Sequence, residues 1–359
     1  MRVAYHLPYP DTIYGLRTIY HGFKNAFEDL GHAFVPITPD HDLTSRLEAE
    51  QVNLFVTASH FVYRKYIDYR ELARLRKRGL FVLTKIDFWK SPLGSMRFNE
   101  AKSLKDDPQL VHLIASGLLG DAYYHVVEQD DPRMDGFTRT TGHRYHTIPL
   151  AADKTLMDRA TAEARFEADI SFIGSYLPEK RRYFQQTVFP LARKHRLRIY
   201  GQDWTRLDRT LGLVQRVGQY FNLPLIRSLQ RPILGLEDEA KIYASSLISV
   251  NVHELHQRKF GGDCNERTFK IPLFGGFEIT DDVACIRRYF KADEEIIVAH
   301  DEADWLGRIE HYLRHPEQRL PIIKAGRDRV LKEHTYHHRA SQMVAIATGQ
   351  NANPLRPVP

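Results

Sequence analysis

The sequence predicts an α/β protein of two Rossmann-like domains that face a central cleft. Three observations lead there. Short apolar strands alternate with amphipathic helices along the chain, its 359 residues exceed one ordinary core, and a polar, alanine-rich segment, AADKTLMDRATAEARFEAD, interrupts the alternation midway. Alternation at this pace implies mostly parallel sheets covered on both faces.

The first strand is expected over residues 2–7, and a helix over 16–30 carries Ile19, Phe23, Ala26, Phe27 and Leu30 at helical spacing before Gly31 stops it. Further strands are expected over 32–37, 53–58, 80–85, 122–127 and 146–150, with helices over 43–51, 62–78 and 108–119 between them. A second series opens with a strand over 169–173 and a helix over 180–195. Strands over 197–200, 247–252, 277–280 and 295–299 follow, then helices over 304–313, 321–334 and up to about residue 347. The domains divide as 1–150, 151–335 and 336–359, the last a helix and tail expected to pack back on the first domain.

Composition narrows the class. With 43% hydrophobic and 27% charged residues the chain reads as globular, not disordered. No apolar run reaches membrane-span length, and MRVAYHLPYP opens on a strand pattern, so a cytoplasmic protein is expected, peripheral to the inner face of the membrane if it meets one. Cys264 and Cys285 form no disulfide framework, and the 18 histidines show no HExxH spacing, so no metal is expected. The formal charge of +6 permits an anionic partner, and between Arg193 and Arg231 nine Lys or Arg stand against Asp203 and Asp208. Within that basic stretch Leu213, Val217, Phe221, Leu225 and Leu229 recur at near-helical spacing. They suggest paired amphipathic helices over 204–236 that either pack on the second domain or present a basic, apolar surface to a membrane or lipid-linked acceptor.

The most informative stretch is FGGDCNERTFKIPLFGGFEITDD, from Phe260 to Asp282. Gly261 and Gly262 allow close backbone approach, Asp263 or Asn265 can cap a helix starting near Glu266, and that helix start with Arg267 would suit a phosphate. Pro272 limits the helix, and Gly275-Gly276 turns the chain into a strand. In open parallel sheets ligands bind beyond the carboxyl ends of the strands. That rule adds Gly174, Ser175, Arg181 and Arg182; Tyr200, Gly201 and Trp204; and Asn251 and His253. Together they would suit a nucleoside diphosphate, with Tyr200 or Trp204 beside the base.

The second half, in DISFIGSYLPEKRRYF, RIYGQDW, SVNVH, the 260–282 stretch and the closing HTYHHRA, resembles the group 1 C-terminal region of spore-maturation-protein-like glycosyltransferases. The likeness spans about residues 165–345; the first half matches in architecture. It implies the GT-B fold, a nucleotide-diphosphate sugar as co-substrate with no other cofactor, an acceptor held mainly by the first domain, and metal-independent transfer. One position departs: where such enzymes usually carry a glutamate for the donor ribose, this chain has Lys270. Glu266, one turn earlier, is a substitute; alternatively Lys270 reaches a phosphate, or the chain is a silent nucleotide-sugar-binding scaffold.

For an inverting transfer the base must sit near the acceptor hydroxyl. Asp87, directly after an apolar strand, is the first choice and His60 the second, with Glu128 also at a strand end and His6 and Asp11 in the opening loop. The reading is a glycosyltransferase acting on a hydroxyl of a glycan, lipid-linked or small-molecule acceptor. A transferase acting on modified DNA bases is the alternative that the basic balance keeps open. A dinucleotide-type dehydrogenase is disfavoured, because the first strand is not followed by GxGxxG. Replacing Arg267 with Ala is expected to lower turnover and leave the fold intact.

Overall fold

A computed structural model describes residues 1–7, 15–92, 103–227 and 234–350. Asp11, Leu229 and the tail after residue 350 lie outside the described residues. The first half runs β1 (Arg2–His6), α1 (Gly15–Asp29), β2 (Ala33–Ile37), α2 (Leu43–Ala49), β3 (Leu54–Ala58), α3 (Phe61–Arg64), α4 (Tyr69–Arg76), β4 (Phe81–Lys85), α5 (Pro108–Ala115), β5 (Ala122–His125), α6 (Phe137–Thr141) and β6 (Tyr145–Thr147). All six strands pair in parallel in the order β2-β1-β3-β4-β5-β6.

The second half runs β7 (Ala168–Ile173), α7 (Arg181–Tyr183), β8 (Leu197–Tyr200), α8 (Arg206–Tyr220), α9 (Pro224–Arg227), α10 (Leu236–Ser245), β9 (Ser246–Asn251), α11 (Leu255–Phe260), α12 (Arg267–Leu273), β10 (Glu278–Asp281), α13 (Ile286–Tyr289), β11 (Ile297–Ala299), α14 (Glu302–Arg314), α15 (Pro316–Glu333) and α16 (Tyr336–Ala347). Its five strands are parallel in the order β11-β10-β9-β7-β8. Strand order therefore reverses between β1 and β3 in one sheet and between β7 and β9 in the other, which marks the crevice of each.

Two expected helices are cut short. The run over 62–78 breaks because Asp68 accepts hydrogen bonds from the amides of Arg70 and Glu71, starting α4 afresh. The run over 180–195 yields only the three-residue α7, then a π-helical turn (Phe184–Val188) and a 3-10 turn (Phe189–Arg193) around Pro190, whose ring nitrogen has no proton to give a helix. The last helix crosses back: Tyr336, Ala340, Met343 and Ile346 are buried against Val3, Phe23, Phe27 and Val56 of the first half. Gly22 permits this, since a Cβ there would stand 2.2 Å from the Tyr336 ring. The fully buried Arg339 donates to the carbonyls of Pro149 and Leu150 at the crossover and of Glu333.

Candidate functional site

A cleft of about 290 Å³ opens at the carboxyl end of β7, beside the reversal point of the second sheet. Its walls are Ile173, Gly174, Ser175, Leu177 and Lys180 from the β7 loop, Glu239 from α10, Glu254 from the β9 loop, and Asn265, Glu266, Arg267 and Lys270 around α12. Thr18 of α1 closes it from the first half.

Arg267 is fixed by three bonds: Nε donates to Asn251 Oδ1 at 2.9 Å, Nη1 to the Ile173 carbonyl at 3.3 Å and Nη2 to the Val252 carbonyl at 3.0 Å. Two of its five guanidinium protons are left for other acceptors. Gly174 makes room for it, because a Cβ there would lie 2.9 Å from Arg267 Nη1. Lys180, 2% exposed, donates from Nζ to the same Val252 carbonyl at 2.9 Å. Burial, aided by the neighbouring Arg267 charge, pulls its pKa down to about 8. Two cations thus converge on one carbonyl at the cleft floor. Carboxylates line the same walls, among them Glu239 and Glu266.

Beneath this layer lies a buried polar network. Asn251 donates from Nδ2 to Thr268 Oγ1 and Glu278 Oε1 and accepts on Oδ1 from Asn265 and Arg267. Burial pushes the Glu278 carboxyl up to about 8, so it is protonated at neutral pH. His253 pairs with Asp281 at 2.6 Å and with Thr268.

The structure gathers part of the expected set and redistributes the rest. Gly174, Ser175, Asn265, Glu266, Arg267 and Lys270 line the cleft. Asn251 and His253 do not: both are fully buried and orient Arg267 and Thr268 from below. The amide of Arg267 is already capped by Asn265 Oδ1 at 3.0 Å, so this seven-residue helix offers side-chain cations where a free-amide phosphate site was expected. Arg181 sits over the Tyr176 ring and Arg182 is exposed, bonded to Gln186; the residue of that basic triplet that enters the cleft is Lys180. Tyr200 packs on Phe166, and Trp204 stacks on Tyr176 while donating to the Gly174 carbonyl at 2.9 Å, so both brace the loop. Gly201 has φ +121° and would drive a Cβ to 2.2 Å from that carbonyl.

The glycine pair has another task. Gly261, at φ +69°, ends α11, and a Cβ on Gly262 would fall 1.7 Å from Asp131 Oδ2. Here the halves are clamped: Arg133, 1% exposed, pairs at 2.7 Å with both Asp131 and Asp263 and lies over the rings of Phe88 and Phe260. Lys270 pairs with Glu239 at 2.6 Å, so its charge already faces a carboxylate on the cleft wall. Glu239 of α10 thus presents a carboxylate on the same wall.

On the first sheet, Asp87 Oδ2 accepts from Ser59 Oγ at 2.9 Å, and burial raises its pKa against the pull of His60. His60 accepts from the Val62 amide at the start of α3. Neither lines the β7 cleft. His6 is buried on Thr57 with its pKa driven to about 3, and Glu128 accepts from Thr147, so both are structural. Lys85, at the end of β4, lines a smaller cavity of about 50 Å³ with Tyr5, Thr57 and Tyr124. Burial lowers its pKa while Asp87 and, across the cleft, Glu266 and Asp263 oppose the shift.

Sequence reading missed Lys180, Glu239, Thr18 and the Arg133 clamp. Lys180 could have been chosen over its neighbours by helix phase; the others depend on contacts between distant segments.

Residues 181–345 match the family described as glycosyl transferase-like. A search of curated proteins finds no significant match. Among solved structures the chain is similar to sucrose-phosphate synthase from Thermosynechococcus elongatus at 13% identity and TM-score 0.59, covering 97% of this chain and 98% of that one. It is also similar to an alpha-glucosyltransferase in complex with UDP, at 11% identity and TM-score 0.63, covering 97% and 100%. A glycosyltransferase from Rickettsia africae aligns at 12% identity and TM-score 0.60, covering 97% and 98%. The chain therefore has the GT-B fold, and its residues 181–345 match the glycosyl transferase-like family.

Proposed function

We propose that the protein is a glycosyltransferase that takes a sugar from a nucleotide-diphosphate donor and transfers it to a hydroxyl of a glycan, lipid-linked or small-molecule acceptor. The observation that carries this reading is the pair Lys180 and Arg267, fixed on one carbonyl at the reversal point of the second sheet, with Glu239 and Glu266 on the same walls. Breaking the sugar–phosphate bond develops negative charge on the leaving diphosphate. Preorganised cations in a partly desolvated cleft stabilise that charge more than water does. Carboxylates beside them accept hydrogen bonds from ribose or sugar hydroxyls, a role Glu239 takes because Lys270 holds it in place. The donor's base remains to be named; UDP in a structural neighbour makes uridine the first to try.

Asp87 is our general base. Burial raises its pKa, and it follows β4 in the half that we assign to the acceptor. We place the division between acceptor and donor domains near residue 150 and expect transfer to proceed without a metal. The neighbours that are complexes with DNA, together with the basic stretch over 193–231, make duplex DNA a second acceptor worth including in the panel.

The test is a thermal-shift panel of UDP, GDP, TDP, CDP and ADP with their sugar conjugates, followed by donor hydrolysis and transfer assays. Stabilisation by one nucleotide supports the reading and names the base. No shift from any of them at millimolar concentration overturns it.

A further inference from the structure

The apolar spacing of α8 leads one to expect a helix that buries its apolar side. The structure shows the reverse: Gln215 is 1% exposed and Gly212 and Gly218 are buried, whereas Leu207, Leu213 and Phe221 are 70%, 57% and 59% exposed, with Val214 and Val217 beside them. A stripe of large apolar side chains on one helix face, turned to solvent, marks an interaction surface.

The charges around the stripe indicate its occupant. Arg206, in line with the start of the stripe, and Arg216, along one side of it, are exposed. The one acid of the helix, Asp208, is turned back to the Asp203 amide. Lys65 of the first half donates to the Tyr220 carbonyl at the far end. An apolar stripe flanked by cations, in a stretch with nine Lys or Arg against two acids, is the pattern of a helix that lies in a membrane interface. Among the described residues no helix is long and apolar enough to cross a membrane. A second copy docking by the same face would bring the arginines of both together, while anionic headgroups would neutralise them.

We propose that α8 docks flat on an anionic lipid bilayer, burying Leu213, Val217 and Phe221 among the acyl chains with Arg206 and Arg216 on headgroup phosphates. Trp204, just before α8, donates to the Gly174 carbonyl of the cleft wall, so the start of the docking helix lies near the β7 cleft. The inference does not depend on the transferase reading, because its test reads binding alone.

The experiment is vesicle flotation of the full chain with phosphatidylglycerol-containing and pure phosphatidylcholine vesicles, at low and high salt. The expected result is association with anionic vesicles only, weakened by salt, and at least about 10-fold lower partition for Leu213→Ser/Val217→Ser, which removes apolar side chains from the interface. Because both side chains are exposed, that variant should melt with the wild type, and a matched melting curve excludes misfolding as the cause. Arg206→Gln/Arg216→Gln should lose the preference for anionic vesicles. No flotation, equal flotation with neutral vesicles, or instead a concentration-dependent dimer that the serine variant abolishes, would each overturn the proposal.

Discussion

Lys180→Met separates binding from folding, because the structure makes the two effects opposite in sign. The substitution keeps the aliphatic stem and removes the charge. A pKa lowered from 10.5 to about 8 means that the surroundings disfavour the charged form by about 3 kcal/mol. The Val252 carbonyl is not orphaned, since Arg267 Nη2 still donates to it at 3.0 Å. The variant should therefore melt at the same temperature or a few degrees higher, the lost hydrogen bond of about 1–2 kcal/mol offsetting part of the relief. Nucleoside diphosphate affinity should move the other way. Loss of one charge-assisted hydrogen bond, about 1.5–3 kcal/mol, weakens binding about 10- to 150-fold. The pH dependence supplies a second signature: in the wild type, affinity should fall as pH rises through about 8, where the free protein loses the Lys180 proton that the bound anion retains. In the variant that step should vanish. Scanning fluorimetry without ligand and calorimetric titration from pH 6.5 to 9 would measure both. A variant that melts lower yet binds the nucleotide as the wild type does, with the same pH step, would refute the assignment.

Glu278→Gln keeps the acceptor for Asn251 and removes a carboxyl that burial holds neutral up to about pH 8. Because the folded pKa lies above the unfolded one, the wild type should lose stability as pH rises from about 4.5 to 8, and the glutamine variant should show a shallower fall in melting temperature over that range. Arg133→Leu leaves Asp131 and Asp263 buried without their cation, so unfolding in urea should report about 3–5 kcal/mol of destabilisation. A loss under about 1 kcal/mol would show that the clamp does not hold the halves together. Asp87→Asn should cut transfer about 100-fold or more while leaving nucleotide affinity unchanged; full activity would remove Asp87 from the base role.

Much of the fold was legible because its signals are local. Apolar strands bounded by turns and helices with 3.6-residue periodicity placed all eleven strands to within a few residues, and the parallel sheets followed from the alternation. Where reading failed, the competing cause was short-range chemistry that periodicity ignores. Asp68 restarts a helix, and Pro190 prevents one.

The candidate site was legible to a lesser degree, because a residue type at a strand end says where a side chain starts and not what it meets. Gly261 and Gly262 looked like a ligand loop from the 260–282 stretch alone. What Gly262 accommodates is Asp131, over a hundred residues away, and no local pattern records that contact. Arg267 illustrates the same limit in reverse. The sequence presents it as a phosphate fork, and it does line the cleft, yet three of its protons hold Asn251 and the carbonyls of Ile173 and Val252. Arg267→Ala should therefore also cost stability, since it removes the side-chain donor to the Ile173 carbonyl and one of the two donors to the buried Asn251 amide oxygen, Asn265 supplying the other. A loss of activity in that variant would not distinguish binding from architecture. Lys180, whose carbonyl partner has a second donor, is the residue at which function can be removed without dismantling the network beneath it.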